Sequence, residues 1–184
     1  MTAKILMIAP GDAGAPIVEA LAAAHRQAAI DALLLPRGER DERRYRELVK
    51  AVAPPAQQQG IAVLIEGEPG HVRTLGADGL HLTAPSDSDL RDAVAALHPQ
   101  FMIGVGGIES RHAAMTAGEL GADYILFGPL SGRISEHQRE LARWWAETME
   151  IPSVLSDPDA GRDSVDAESC EFIGLRLPAG GAPE

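Results

Sequence analysis

The residues of this chain best suited to chemistry are few and scattered. Gly106-Gly107-Ile108 follows an apolar run and precedes a helical stretch. Backbone N–H groups of such a turn, at the start of a helix, can hold an anion such as a phosphate. A tight strand-to-helix turn that needs glycine is the plainer and favoured reading. The mixed-sign run from Arg37 to Arg44 reads as a solvated helix start, although Arg37 or Arg40 could reach an anion. Asp157 and Asp159 flank Pro158. Their carboxylates suit a metal ion, but a polar Asp-Pro turn is the better reading. His81, at a strand end, reads as a hydrogen-bonded core or rim histidine before it reads as an acid or base. The chain has no Cys/His spacing of a zinc site, no G-x-S-x-G and no Walker loop.

Such residues need a scaffold, and the apolar pattern describes one. Short aliphatic runs at 5–9, 30–35, 61–65, 80–82, 101–105, 123–127, 152–155 and 171–177 read as strands. Helical stretches alternate with them at 16–25, 41–52, 71–75, 89–97, 110–120, 135–149 and 159–169. Asp41 is the expected N-cap of the second helix, and Pro54-Pro55 is expected to end it. Trp144-Trp145 predicts one ring packed on the sheet and one partly exposed, with a homo-oligomer contact as a further expectation. Nearly continuous apolar strands alternating with helices imply a parallel sheet buried on both faces. About eight such units favour closure into a (β/α)8 TIM-type barrel. A doubly wound open sheet is the competitor. No helical stretch follows the last strand, so the barrel is expected to lack a full last helix. The expected organisation is a single domain over 1–177 and a coil tail over 178–184.

Bulk properties narrow the partners. The 184 residues carry a formal net charge of −11. That balance argues against nonspecific binding to nucleic acid or anionic membrane, and leaves a local phosphate site open. No apolar run approaches a membrane span, and the run before Pro10-Gly11 is too short for a signal-peptide core. The lone Cys170 has no intrachain partner, which suits a reducing cytoplasm.

Two segments are more specific than the pattern. Gly76-Ala77-Asp78-Gly79-Leu80-His81-Leu82 is the first, and Gly121-Ala122-Asp123-Tyr124 through Gly128-Pro129 is the second. Ile103-Gly104-Val105 lies between them. In this order and spacing they resemble the thiamin phosphate synthase/TenI family, most sharply over residues 76–129. The resemblance implies a TIM barrel whose site lies on loops at the C-terminal strand ends. It also implies joining of hydroxymethylpyrimidine diphosphate to thiazole phosphate with release of pyrophosphate, and Mg²⁺ as cofactor. A small phosphorylated metabolite is the implied partner.

The resemblance assigns site residues unevenly. Where the family carries Gln-x-Arg-x-Lys after the second strand, this chain offers only Arg37 or Arg40. Glu66-Gly67 replaces Asn-Asp, making Glu66 an improvised metal ligand, and Asp87 falls one residue late for the family's second aspartate. His81 stands where the family has histidine, and Gly106, followed by Gly107, stands where it usually has serine. After Gly128-Pro129 the Thr-x-Thr-Lys run becomes Arg133-Ile134-Ser135-Glu136. Arg133, Ser135 and the Gly128 backbone are its remaining phosphate-binding candidates. The Gly-Gly-Ile cradle after the seventh strand becomes Ser156-Asp157-Pro158. His112 lies too far along for the tautomerase histidine of TenI. These replacements imply a degenerate member of the family. It would be either a modified synthase, a noncatalytic barrel binding a metabolite or a protein partner, or an enzyme with another substrate.

Overall fold

Aliphatic runs bounded by polar residues become eight short strands. These are β1 (Lys4–Ile8), β2 (Ala32–Leu35), β3 (Ala62–Ile65), β4 (Gly79–Thr83), β5 (Met102–Gly106), β6 (Tyr124–Phe127), β7 (Ser153–Ser156) and β8 (Phe172–Arg176). The computed structural model describes residues 3–11 and 16–178. Each strand pairs in parallel with the next and β8 returns to β1, so the sheet closes into a barrel. Six α-helices cover it among the described residues: α1 (Ile17–Gln27), α2 (Glu42–Gln58), α3 (Pro69–Leu75), α4 (Asp87–Leu97), α5 (Arg111–Glu119) and α6 (Glu136–Thr148). None of these helices is long and apolar enough to cross a membrane.

Four acidic side chains set the register at the N-terminal end of the barrel. Asp31, Asp78, Asp123 and Glu171 each stand immediately before an even-numbered strand. Their carboxylates accept the amides of Ile5 at 3.0 Å, Val63 at 2.8 Å, Ile103 at 2.8 Å and Ser153 at 2.9 Å, each on the preceding odd-numbered strand. Asp31, Asp78 and Asp123 also donate their own amides to the carbonyls of Ile5, Val63 and Ile103. The Gly-Ala-Asp signature is therefore a clasp at the base of the barrel, far from the ligand end. It belongs to a fourfold repeat that the sequence does not display.

Two cores follow from strand alternation. Ile5, Leu33, Leu80, Ile103 and Phe127 face outward and pack with the helices. Leu6, Ile8, Leu34, Leu64, Tyr124, Leu126 and Val154 fill the barrel interior. Gly104 makes the inner packing fit. A Cβ there would lie 1.8 Å from the Tyr124 ring, so the glycine clears the space that the tyrosine fills.

Two expectations need correction. Pro54-Pro55 does not end α2, which continues to Gln58. The prolines leave the carbonyls of Lys50 and Ala51 without their helical donors, and both residues are exposed, where solvent satisfies them. Val52, Ala53 and Ala56 stay buried against the barrel and hold the helix through the break. The helix expected over 159–169 shrinks to a 3-10 turn, Arg162–Ser164, in which no residue is buried. It has no apolar face to dock. The turn expected at Asp157-Pro158 does form, the Asp157 carbonyl accepting from Ala160 N, and the Asp157 side chain is wholly buried. The tail expected from residue 178 lies, apart from Pro178, outside the described residues. The tryptophans behave as expected. Trp145 is buried and donates to the Ile151 carbonyl, while Trp144 is partly covered and stacks under Arg111.

Replacing Gly104 with alanine forces Tyr124 from its place. The expected cost is about 1–3 kcal/mol, measured as a lower urea midpoint at unchanged slope.

Candidate functional site

The C-terminal strand ends form the mouth, with one depression between β1, β2 and β8 that Arg40, Arg44 and Arg176 line, and another over β4, β5 and β6. Leu80 and Leu82 of β4 pack toward the helices, so His81 between them points into the barrel. It is 1% exposed. Its Nδ1 lies 2.8 Å from the Tyr124 hydroxyl, with the two rings stacked 5.8 Å apart. Its Nε2 has no hydrogen-bond partner. A Cβ on Gly106 would sit 2.9 Å from that nitrogen, so the glycine keeps a side chain from crowding it. Burial pushes the His81 pKa down to about 4, which keeps the imidazole neutral near pH 7. Burial, and then the Glu66 charge, push the Tyr124 phenol upward, so the pair is uncharged.

Above His81 lies a cavity of about 320 Å³. His81, Gly106, Gly107, Gly128, Arg133 and Ser135 line it together, with Thr83, Glu109 and Gln138. The glycine turn after β5 works as a close backbone passage. Gly107 takes φ +70 and a Cβ there would meet the Ala84 amide nitrogen at 2.8 Å. Ser135 spends its hydroxyl as the N-cap of α6, accepting from the Gln138 amide. The Gln138 side chain turns inward instead of completing a capping box. Its Oε1 accepts from Gly128 N at 3.1 Å, and its Nε2 donates to Ile108 O at 2.7 Å. One amide thus joins the β5 and β6 loops that wall the cavity.

Arg133 turns toward an internal anion. Asp157 is 0% exposed and its Oδ2 lies 2.6 Å from the Arg139 guanidinium. Its Oδ1 lies 3.3 Å from Arg133 Nε and accepts from the Ile134 amide at 3.2 Å. Both oxygens of this carboxylate are satisfied by cations and backbone just ahead of α6.

The remaining candidates stand apart from the cavity. The Arg37 amide donates to Glu66 Oε2 at 2.8 Å, and its Nε donates to the Arg40 carbonyl at 3.4 Å. Glu66 Oε1 accepts from Thr83 at 3.2 Å, and the Glu66 amide donates to the Tyr45 hydroxyl at 2.8 Å. Glu66 therefore braces the ends of β2, β3 and β4. Asp87 opens α4 and lines a separate cleft with His112 between α4 and α5.

The family described as thiamine monophosphate synthase (TMP-TENI) matches residues 5–156. The chain belongs to the thiamine monophosphate synthase family. A thiamine-phosphate synthase of Hyphomonas neptunium is 38% identical over 119 residues, covering 62% of this chain and 53% of that protein. Another, from Rhodospirillum centenum, is 32% identical over 111 residues, covering 58% and 53%. The chain spans about half the length of these curated relatives. Thiamine phosphate pyrophosphorylase from Pyrococcus furiosus shares the fold, with a TM-score of 0.75 at 20% identity over 94% of this chain and 85% of that one. The YdjI aldolase of Escherichia coli K12 gives 0.67 at 13% identity over 96% and 75%. At those identities the structures speak to the barrel alone.

The family's Mg²⁺ does not fit the acidic residues as they stand. Glu66 already receives a protein donor on each oxygen, and Asp87 faces another cleft. Among the described residues no three His, Cys, Asp or Glu side chains come together as metal ligands. Magnesium needs an oxygen set arranged nearly octahedrally.

Tyr124, Gln138 and the role of Asp157 escaped the sequence reading. An aromatic residue opening an otherwise aliphatic strand was a signal for Tyr124, since a phenol inside a barrel needs a partner. A glutamine three residues after the Ser135 cap was a signal for Gln138, although the capping-box pattern points it elsewhere.

Two outcomes follow. Because His81 is neutral when folded and titrates near 6.5 when unfolded, only the unfolded chain gains this proton between pH 6.5 and 4. The histidine's contribution to stability is complete above that window and falls by about 3 kcal/mol across it on acidification. Denaturation measured from pH 7 to 4 should show this slope, and His81→Gln should flatten it. Gln138→Ala leaves the Gly128 amide and Ile108 carbonyl unpaired. It should lower stability by about 1–3 kcal/mol in calorimetry.

Proposed function

We propose that this family member binds a thiamin-precursor heterocycle in the cavity above His81 and does not carry out the pyrophosphate-releasing coupling. The observation that carries this reading is His81 Nε2, a buried nitrogen with no partner on a residue that lines the cavity. Leaving such a group unpaired costs about 1–3 kcal/mol, which a ligand's hydrogen bond offsets. A neutral imidazole and a neutral phenol suit recognition of a polar aromatic ring. They do not suit stabilisation of a departing diphosphate, which requires cations or a metal.

The groups that resemblance assigns to diphosphate and metal support the same reading. Arg37 and Glu66 are held by their neighbours, and Arg133 faces Asp157. Phosphate ligation is ordinarily charge-assisted, and each lost contact removes about 1.5–3 kcal/mol. Losing several weakens the hold on two phosphorylated substrates at once.

The 38% identity to a named synthase over 119 residues favours a second reading, a working enzyme with substituted ligands. The two separate cleanly. Binding predicts thermal stabilisation by pyrimidine or thiazole precursors, tested as alcohols and as phosphates. At a hundredfold excess over Kd, linkage gives about 2.7 kcal/mol, seen as a rise of several degrees in Tm. His81→Gln should remove the shift. No pyrophosphate should appear when stoichiometric protein meets pyrimidine diphosphate, thiazole phosphate and Mg²⁺. Pyrophosphate release establishes the enzyme instead, and a panel without any shift removes the binding reading.

A further inference from the structure

Arg133 is the sole cation among the described residues that line the cavity, and Glu109 lines it as well. Arg133 belongs to a constellation that would otherwise attract an anion. Two guanidiniums, Arg133 and Arg139, converge with the Ile134 amide just ahead of α6. A helix N-terminus backed by arginines is an anion site by its electrostatics. Here the anion is already covalently present. The Asp157 carboxylate is wholly buried, with one oxygen on Arg139 and the other on Arg133 and the amide. The backbone fixes it there, because the Asp157 amide donates to the Gly174 carbonyl of β8 and its carbonyl accepts from Ala160 N. Gly128, on the cavity wall, packs so closely on this segment that a Cβ would lie 2.2 Å from the Ser156 carbonyl oxygen. The backbone that carries the carboxylate is thereby held at the end of β7.

We propose that Asp157 is the specificity-determining residue of this cavity. Its carboxylate fills the anion position, so the cavity takes a heterocycle that carries a neutral hydroxyl, not a phosphate, at this end. The choice of ligand rests on the reading that the cavity is a binding site, whereas the role of Asp157 toward anions does not. A phosphate brought to Arg133 finds its Nε on the Asp157 carboxylate and its Nη1 on the Asp159 carbonyl. To gain the guanidinium it must compete with a carboxylate already in place.

Inorganic phosphate is the direct probe, titrated calorimetrically into the full chain and its variants. The wild type should show no saturable binding in the millimolar range. Asp157→Asn keeps the shape and frees both arginines, so phosphate binding should tighten by at least about tenfold. The double variant Asp157→Asn with Arg133→Ala should lose most of that gain. Wild-type phosphate binding that Arg133→Ala abolishes would overturn the proposal, and so would a folded Asp157→Asn that gains nothing. Should Asp157→Asn fail to fold, the wild type still decides. A thiazole or pyrimidine alcohol must bind more tightly than its own phosphate ester, and the reverse order is fatal. If neither alcohol nor ester binds, the cavity reading falls by itself. The phosphate titrations then judge Asp157 alone.

Discussion

The barrel depends on a clasp repeated four times around its base. An acidic residue before each even-numbered strand bonds the amide near the start of the odd-numbered strand before it. An amide at the edge of a closing sheet is costly to bury unpaired. A carboxylate satisfies it and fixes the stagger of two strands in one contact. Because side chains alternate along a strand, that stagger decides which residues enter the interior and which reach the mouth. His81, Tyr124 and Gly106 meet above the core only because Asp78 and Asp123 hold β4 and β6 in register with β3 and β5.

The mouth is governed by a different economy of charge. Its buried pair, His81 and Tyr124, is neutral, since burial disfavours both the imidazolium and the phenolate. Its charged groups are mostly engaged with one another. Glu66 ties three strand ends, and Asp157 engages two arginines. A scaffold that elsewhere in the family serves phosphorylated ligands here directs its polar groups toward holding loops. Among the described residues the buried side-chain polar atom without a partner is His81 Nε2.

Much of this was legible in the residues. Strand and helix alternation gave a parallel sheet, because strands buried on both faces must be apolar on both, and it favoured the barrel over an open sheet without deciding between them. Gly76–Leu82 and Gly121–Pro129 gave the family, whose match extends over residues 5–156. Pro54-Pro55 misled, because a helix tolerates proline where the orphaned carbonyls face solvent and the opposite face is packed. The stretch 159–169 misled because helical composition without an apolar face has nothing to dock. Asp157 was visible as a carboxylate beside proline, but its burial depends on arginines 24 and 18 positions earlier, Arg133 and Arg139.

The sequence by itself determined the elements, their order and the lineage, since periodicity and local motifs act over a few residues. It also placed most candidate residues near the C-terminal ends of the strands. Only the tertiary structure decided what each polar group faces. That is a matter of strand register and of contacts between distant segments, which no local pattern encodes. It turned Gly-Ala-Asp from a mark of family resemblance into a basal clasp, and Glu66 from a metal candidate into a brace. It left the nitrogen of His81 without a partner beneath the glycine at 106.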